Sequence, residues 1–562
     1  MVGRIIRSLT NPVRGLHEAA YVLAAFALLS QLLALVRDRL LAGTFGAGGV
    51  LDIYYAAFRV PDFLFATVAS LLSLYALMPI LSRLEAEHPG RMISFLRQCL
   101  LWFFVGMGLI AAMCFVLAPL LIHLTAPGLA SDPATAANLV SLTRILLLQP
   151  IFLGASNILA NLTQMRHRFV LYSISPLLYN LGIISGVLFL YPLVGIAGLG
   201  WGVVVGAVLH FLIQVPYFAR ESIEERVPTR EARGYLMQVL VLSIPRTFAL
   251  ASTQVTILVL TALASYFAAG SISVFTFAYN LQAVPIAIIG VSYSVAAFPT
   301  LARLFASGER EKLAAHVENA LRHLLFWSVP LTVLVIVLRA QLVRVILGTG
   351  AFDWAATRLT AAALALFIVS LAAQNLTLLI ARTYYAAGNS RKPLYYGIVD
   401  IVVSIGSALA LAGIFHASPG LRLFIESLLR VDNIVGSTVL MLALGYALGS
   451  IAEALVGYVY FVRDFGIPQR RVLRVLLQSF GASVIGGAAA YGTLALLGAT
   501  GPLTTVISVF ATGFIAGIVG LGVIAAFLYL LKSEELVEVV GALHRRLVPG
   551  TAPVLEPTDI ES

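Results

Sequence analysis

The stretch Leu35 to Phe65, LVRDRLLAGTFGAGGVLDIYYAAFRVPDFLF, determines how the rest of the chain is interpreted. Two apolar segments meet in it across a glycine-rich turn, and both carry charged side chains at or near membrane depth. Charges at that depth are costly in lipid, so they normally face a bundle interior or a water-filled cavity. The stretch therefore predicts a polar cavity between transmembrane helices. Its charged residues are Arg37, Asp38, Arg39, Asp52, Arg59 and Asp62.

The composition indicates a polytopic membrane protein. Of the 562 residues, 60% are apolar and 11% are charged, and the mean hydropathy is +0.97. A chain of this composition could not cover its folded surface with polar groups in water. Counting about 20 apolar residues per span predicts an all-α fold with fourteen transmembrane helices. The predicted spans are 16–42, 50–82, 94–125, 135–164, 169–191, 195–219, 235–268, 271–304, 313–347, 355–387, 393–416, 432–462, 472–498 and 502–531.

The distribution of basic residues predicts the orientation of the chain. With the N-terminus inside, the cytoplasmic segments contain twenty-four Lys and Arg residues, whereas the external loops contain only Arg422 and Arg430. By the positive-inside rule, this bias places both termini in the cytoplasm. The charges are spread over eight separate segments, so the net charge of +10 does not indicate binding to nucleic acid.

Internal similarity divides the chain into two lobes. Ala76–Leu84, ALMPILSRL, and Ala296–Leu304, AAFPTLARL, share the pattern A-x-x-P-x-L-x-R-L. Because six helices separate the copies, the repeats are parallel and related by an axis along the membrane normal. Two such lobes are typical of a transporter with a central site; a duplicated membrane scaffold without transport activity is the alternative. The predicted units are an N-lobe (1–233), a C-lobe (234–464), two added spans (465–531) and a cytoplasmic tail (532–562).

Several arginines are candidates for binding an anion in the predicted cavity. Arg59 and Asp62 are three residues apart on one helix face, so they either face a substrate or pair with each other. Arg246 is the deepest arginine by residue count and has no acidic neighbour in sequence, which favours a polar cavity that holds an anion. Arg144 is a weaker case of the same kind. Arg37 either faces the cavity or extends to the membrane interface.

Asp400 and Glu453 are the two deep carboxylates of the predicted C-lobe. They are candidates for binding a coupling cation or a proton; the alternative is a neutral, hydrogen-bonded carboxylic acid at each position. Arginines in one lobe and carboxylates in the other favour an anionic substrate and a cation-coupled cycle. The sequence has no phosphate-binding loop, metal-ligand cluster or nucleophile motif, so we expect neither an enzyme nor a cofactor other than the coupling cation.

Several stretches that touch spans one to eleven resemble one protein family. They include VRDRLLAGTFGAGGVLDIYYAAFRVP, SPLLYNLGIISG, GIAGLGWGVVVGAVLHFLIQVP, and VILGTGAFDWAATRLT followed by ARTYYAAGNSRKP. They resemble the MurJ (MviN) lipid II flippases of the multidrug/oligosaccharidyl-lipid/polysaccharide exporter superfamily. The resemblance implies a bacterial inner-membrane protein that moves undecaprenyl-pyrophosphate-linked peptidoglycan precursor to the periplasmic face by alternating access. Export of another polyprenyl-linked glycan or amphiphile is the alternative.

The resemblance also implies site residues and partners. Arg37 and Asp38 match the family's R-D at the end of span one, Asp52 its aspartate, and Arg59 its basic residue before proline. An arginine-lined cavity would take the substrate head, with Arg144 or Arg246 completing the pyrophosphate site, and a groove on the last two spans would take the lipid tail. Sodium or the membrane potential would assist the cycle. Membrane lipids, the lipid-linked anionic substrate and the cell-wall synthesis machinery are the implied partners.

The chain departs from the family pattern at several charged positions. In span eight, the family's A-D-R-L is Ala278-Tyr279-Asn280-Leu281, so Asn280 occupies a position where a cavity arginine is usual. We include Asn280 among the candidate substrate-binding residues. The other departures are Gln31 for an arginine, Phe65 for a basic residue, and Ser70-Leu71-Leu72 for E-G-A.

Overall fold

The structure, a computed structural model, describes residues 16–72, 74–222, 225–466, 469–499 and 505–547. Within these ranges it contains helices and no β-strand. Lipid offers no hydrogen bonds to the backbone, so an apolar span satisfies its own N–H and C=O groups by forming a helix. The predicted all-α fold is confirmed.

The first half of the chain forms α1 to α6. These are α1 (Leu16–Phe45), α2 (Gly49–Ala57, Arg59–Thr67, Ala69–Leu72 and Leu74–Glu87), α3 (Pro89–Thr125), α4 (Pro133–Leu146 and Gln149–Met165), α5 (Phe169–Val194) and α6 (Ile196–Arg220). The second half forms α7 to α14. These are α7 (Thr229–Ala264), α8 (Ser271–Ala306), α9 (Arg310–Leu347), α10 (Trp354–Ile368 and Leu371–Ala386), α11 (Arg391–Ala417), α12 (Val439–Phe465), α13 (Gln469–Ala499) and α14 (Val506–Leu530). A loop helix, Pro419–Leu429, follows α11, and a C-terminal helix, Glu534–Leu547, follows α14.

The chain is a multi-pass membrane protein. Among the described residues, eleven helices are long and apolar enough to cross a membrane, and α10 makes twelve if its two pieces, bent by 45°, form one span. The predicted number of fourteen spans is not confirmed. The helices α1 and α7 occupy the positions predicted for spans one and seven but are not among these twelve.

The two lobes share an apolar core at one end of the molecule, which the charge pattern predicts to be external. The largest buried cluster combines residues of both lobes, such as Leu51 of α2 and Phe277 of α8. Away from this end, each lobe has its own cluster, around Leu81 in the N-lobe and Leu301 in the C-lobe. The lobes are therefore joined more extensively at the predicted external end.

The helix α7 packs against both lobes. In its first half, Ala232 and Val239 belong to the N-lobe cluster, and the Ser243 hydroxyl donates to the Leu71 carbonyl at 2.7 Å. In its second half, Thr256 donates to Asp400 of α11 at 2.9 Å. A relative motion of the lobes therefore has to change the contacts or the shape of α7.

The helices α13 and α14 are fixed to α9. Ala490 of α13 and Ile524 of α14 are buried in one cluster with Leu334 of α9. The C-terminal helix continues this attachment, because Arg322 of α9 forms ion pairs with Glu534 at 2.8 Å and Glu535 at 2.5 Å. Residues 548–562 of the predicted tail lie outside the described residues.

Candidate functional site

A cavity of about 240 Å³ lies between the two lobes. Residues of α1 and α2 line one side, and residues of α7 and α8 line the opposite side. The structure brings four of the predicted substrate-binding residues together here, although they come from three different helices. They are Arg37, Asp38, Arg59 and Asn280.

Arg37 and Asp38 form the N-lobe side of a polar network. Arg37 Nη2 lies 2.8 Å from Asp38 Oδ1, and its Nη1 donates to Asn180 Oδ1 of α5 at 3.0 Å. The other Asp38 oxygen, Oδ2, accepts from Asn280 Nδ2 of α8 at 3.1 Å. Asp38 is buried, so these partners are needed to stabilise its charge. The network links the two lobes at the cavity wall.

Arg59 has donor capacity that the protein does not satisfy. Its Nη2 donates to Thr276 of α8 at 3.3 Å, whereas its Nε is buried and has no hydrogen-bond partner among the described residues. The sequence left open an ion pair with Asp62, but no such pair occurs among the described residues; Asp62 accepts from Gln149 of α4 at 3.4 Å. A buried N–H without a partner is costly, and an anion in the cavity would satisfy it.

Asp52 lies outside the cavity lining and binds the start of α8. Its Oδ2 accepts from the Gly270 N–H at 2.6 Å, and its Oδ1 accepts from the Ser273 N–H at 2.8 Å and hydroxyl at 2.6 Å. A carboxylate at a helix N-terminus satisfies free N–H groups and interacts favourably with the helix dipole. Gly270 has a φ of +93°, and a Cβ there would lie 2.4 Å from the Ala47 carbonyl oxygen. This close fit holds the lobes together at the predicted external end.

Arg144, another predicted substrate-binding arginine, does not join this site. Arg144 donates from Nε to the Phe115 carbonyl of α3 at 3.0 Å, and its guanidinium lies 4.7 Å from the centre of the Phe115 ring. It is therefore held against α3 and does not line the cavity. The side chain of Arg246 lies outside the described part of the structure.

Sequence reasoning missed most of the uncharged polar residues of the cavity. Thr276, Tyr279 and Asn280 line it from one face of α8, and Gln254 lines it from α7. The spacing i, i+3, i+4 of the three α8 residues was a usable signal, since such positions share a helix face. Asn280 was predicted only through the family resemblance, and Thr276 and Tyr279 were not predicted.

A second cavity, of about 310 Å³, lies within the C-lobe and contains both predicted carboxylates. Asp400 is buried and accepts from Thr256 at 2.9 Å and from Ser404 at 3.1 Å. The Glu453 side chain lines the same cavity and has no hydrogen bond or ion pair to another described residue. The arrangement offers carboxylate and hydroxyl oxygens to a ligand, which are the donors that hard cations prefer.

Tyr279 separates the two cavities and lines both. Its ring meets the ring of Tyr446 edge to face, with 5.7 Å between centroids, and lies 6.0 Å from Phe367. Since protein interiors are closely packed, a displacement of this ring on one side must be accommodated on the other. Tyr279 thus provides a direct steric connection between the lobe interface and the carboxylate cavity.

The family model described as "Lipid II flippase MurJ" matches residues 41–515. The chain belongs to the MurJ family. A lipid II flippase MurJ of Burkholderia cenocepacia is 25% identical over 399 residues, which cover 69% of this chain and 77% of that protein. A probable lipid II flippase MurJ of Thermotoga maritima is 25% identical over 527 residues, with 91% and 95% covered. The predicted family resemblance is confirmed.

Solved structures show the MurJ fold over most of the chain. A lipid II flippase MurJ in an inward closed conformation aligns with a TM-score of 0.69 and 21% identity, covering 91% of this chain and 99% of that one. An inward-facing multidrug resistance MATE transporter of the MOP superfamily aligns with a TM-score of 0.63 and 16% identity, covering 80% and 98%. Membership of a flippase family also agrees with the prediction that the protein is not an enzyme.

Proposed function

We propose that this protein moves lipid II from the cytoplasmic to the external face of the bacterial inner membrane, with both termini in the cytoplasm. Membership of the MurJ family supports the flippase activity. The observation that supports substrate binding in the cavity between the lobes is the buried Nε of Arg59, which has no hydrogen-bond partner among the described residues. A pyrophosphate in the cavity would accept hydrogen bonds from Arg59 and would compete with Asp38 for Arg37.

The cavity in the described conformation is too small for the substrate head. A cavity of about 240 Å³ is smaller than the roughly 300–1,000 Å³ of pockets that hold drug-sized ligands, and a disaccharide bearing a peptide is larger than such ligands. Contacts of Asp52 with α8 close the predicted external side. Towards the cytoplasm, Ser243 bonds to the Leu71 carbonyl, and the hydroxyls of Ser70 and Thr247 lie 3.1 Å apart. The substrate head would enter when this α2–α7 contact separates and leave when the Asp52 contact separates.

Cation binding in the C-lobe cavity would drive part of this cycle. Asp400 and Glu453 share one cavity, so their negative charges repel each other until a sodium ion or a proton neutralises them. Tyr279 forms part of both cavities and would change position when the cation binds. The coupling is reciprocal, because a cation that alters substrate affinity must itself be bound with an affinity that depends on substrate.

The lipid tail of the substrate would lie against α13 and α14, whose exposed side chains are largely apolar. These two helices are fixed to the C-lobe, so the tail would remain in the membrane while the head crosses between the lobes. The cell-wall synthesis machinery would use the lipid II delivered at the external face.

Complementation of a bacterium depleted of its own flippase tests this function. We expect the unaltered protein to restore growth, and Arg59→Gln to fail at an equal level of membrane-inserted protein. Arg144→Gln is the matched control, because Arg144 is an arginine of the same lobe that contacts α3 and not the cavity. Rescue by Arg59→Gln would remove Arg59 from the site, and no rescue by the inserted, unaltered protein would count against lipid II as the substrate.

A further inference from the structure

Three of the arginines at the predicted external end of the C-lobe lie close to one another. Arg339 belongs to α9, Arg358 to the start of α10, and Arg430 follows the loop helix. We call them the external arginine cluster. Each donates to an uncharged oxygen, and none forms an ion pair with a carboxylate among the described residues. Such a concentration of positive charge raises the question of which anion it binds.

The turn at Arg430 directs this arginine towards α13. Arg430 has a φ of 60°, in the left-handed region where a helix usually ends on Gly or Asn. Arg358 Nε donates to the Arg430 carbonyl oxygen at 2.7 Å and so holds the turn. The Arg430 guanidinium donates to the Tyr491 hydroxyl at 2.7 Å and lies 5.8 Å from the centre of that ring. A strained backbone with an unneutralised charge suggests a function other than stability.

Arg339 reaches the same place from α9. Its charge interacts electrostatically with Arg430 and with Tyr491, so three helices or loops contribute to one basic surface. Its own hydrogen bond goes only to the Ile336 carbonyl at 2.8 Å. The positive charges of Arg339 and Arg430 repel each other, and an anion bound between them would offset this repulsion.

The loop helix contains a contrasting arginine that is neutralised. Arg422 forms an ion pair with Glu426 at 2.9 Å, and the buried Glu426 also accepts from Ser437 at 2.5 Å. Arg422 and Arg430 are the only basic residues in the predicted external loops. One of them is thus paired within the protein, while the other is presented to α13.

An exposed apolar stripe on α13 includes the residue that Arg430 contacts. Leu473, Leu477, Phe480, Val484 and Tyr491 fall on one helix face, and each is at least half exposed. From first to last they span about 27 Å, close to the roughly 30 Å hydrocarbon thickness of a bilayer. Arg430 contacts Tyr491 from the loop that the charge pattern predicts to be external, so this contact lies near the external interface, where tyrosine is favoured.

The loop helix also indicates that this region lies at the membrane interface. Leu423, Phe424 and Leu428 are each more than 60% exposed, although they are large apolar side chains. An amphipathic helix that exposes such a face beside a membrane span lies in the interface with this face towards lipid.

We propose that the external arginine cluster binds the phosphate of an anionic phospholipid in the external leaflet, with its acyl chains along the α13 stripe defined by Leu473 to Tyr491. The proposal rests on the orientation proposed above and concerns a site outside the cavity between the lobes. Guanidinium groups bind phosphate oxygens by two parallel charge-assisted hydrogen bonds. The bound lipid bridges α9, the loop helix and α13, and so keeps α13 attached to the C-lobe while the lobes move.

Native mass spectrometry of the full-length protein tests the site, using delipidated protein to which phosphatidylglycerol or phosphatidylcholine is added. The Arg430→Gly variant removes the charge and places at this position the residue that tolerates a positive φ best. We expect its preference for phosphatidylglycerol to fall about five-fold, the effect of one cation near an anionic lipid surface, and its melting temperature not to fall. Arg339→Gln should reduce the preference similarly, and Arg422→Gln should leave it unchanged.

Three results would overturn the proposal. The first is an unchanged phosphatidylglycerol preference in Arg430→Gly and Arg339→Gln, and the second is an equal loss in Arg422→Gln. The third is displacement of phosphatidylglycerol by another source of phosphate. Inorganic phosphate at millimolar concentration would then indicate a site for a soluble anion, and undecaprenyl phosphate at equimolar concentration would indicate a site for the transported substrate. Because lipid retention is measured without transport, the result is independent of whether complementation succeeds.

Discussion

Asn280 of α8 donates from Nδ2 to Oδ2 of Asp38 at 3.1 Å, and this hydrogen bond joins the two lobes beside Arg37. In this structure Asp38 therefore divides its two oxygens between one cation and one neutral amide. Arg37 is the single described cation paired with Asp38, so an arriving anion has only this ion pair to disrupt.

Asn280→Asp should impair transport strongly. It places a second carboxylate opposite Asp38 and exchanges a hydrogen bond worth about 1–3 kcal/mol for a repulsion. We expect at least a ten-fold loss of growth rescue, which corresponds to about 1.4 kcal/mol. Asn280→Ser removes the bond without adding charge and should retain most activity. Equal activities of the two variants would show that this contact has no electrostatic role.

Arg37→Gln should lower both stability and transport, and a double variant separates the two effects. Removing Arg37 leaves Asp38 buried without its cation, a loss of about 3 kcal/mol when one partner of a buried pair is deleted. Arg37→Gln combined with Asp38→Asn should restore the thermal stability of the purified protein but not complementation. If the double variant complements fully, Arg37 serves only to neutralise Asp38.

Asp52→Asn should favour opening at the predicted external side. The change replaces charge-assisted hydrogen bonds, worth about 1.5–3 kcal/mol each, with weaker ones at the α8 N-terminus. Opening can be followed with Ile257→Cys, which lies in the cavity wall, in a chain whose two buried native cysteines are replaced. We expect a membrane-impermeant thiol reagent applied from outside to label this site several times faster.

Asp132→Asn is the matched control for this measurement. Asp132 also caps a helix, accepting from the Thr135 N–H at 2.9 Å, but both residues belong to the same lobe. Labelling that rises equally in both variants would reflect general loosening, and an unchanged rate in Asp52→Asn would exclude Asp52 from the external closure.

Asp400→Asn should abolish the response to the coupling cation. For the unaltered protein we expect sodium, or a lower pH if the ion is a proton, to raise the melting temperature, because a ligand that binds only the folded state stabilises it. Asp464→Asn is the control; Asp464 is a carboxylate of the same lobe that pairs with Lys392 at 3.4 Å, away from this cavity. A cation response that persists in Asp400→Asn would place the coupling site elsewhere.

Much of the architecture follows from the sequence because it depends on composition and helical periodicity. Apolar runs separated by short polar segments specify membrane helices, since a single span can satisfy its own backbone N–H and C=O groups in lipid only as a helix. The charges at Arg37, Asp38 and Arg59 indicated a cavity for a related reason: a charge that lipid cannot solvate must face polar surroundings. The structure places all three in the wall of one cavity.

The partners of these charges were decided only by the tertiary structure. Arg59 and Asp62 have the spacing of an ion pair, yet Arg59 contacts Thr276 and Asp62 contacts Gln149, because two different helices pack on either side of α2. Asp52 belongs to the same charged stretch but contacts the start of α8, some two hundred residues further along the chain. Sequence determines that such groups need polar partners; which partners they find depends on how distant helices rotate and pack, which local periodicity does not encode.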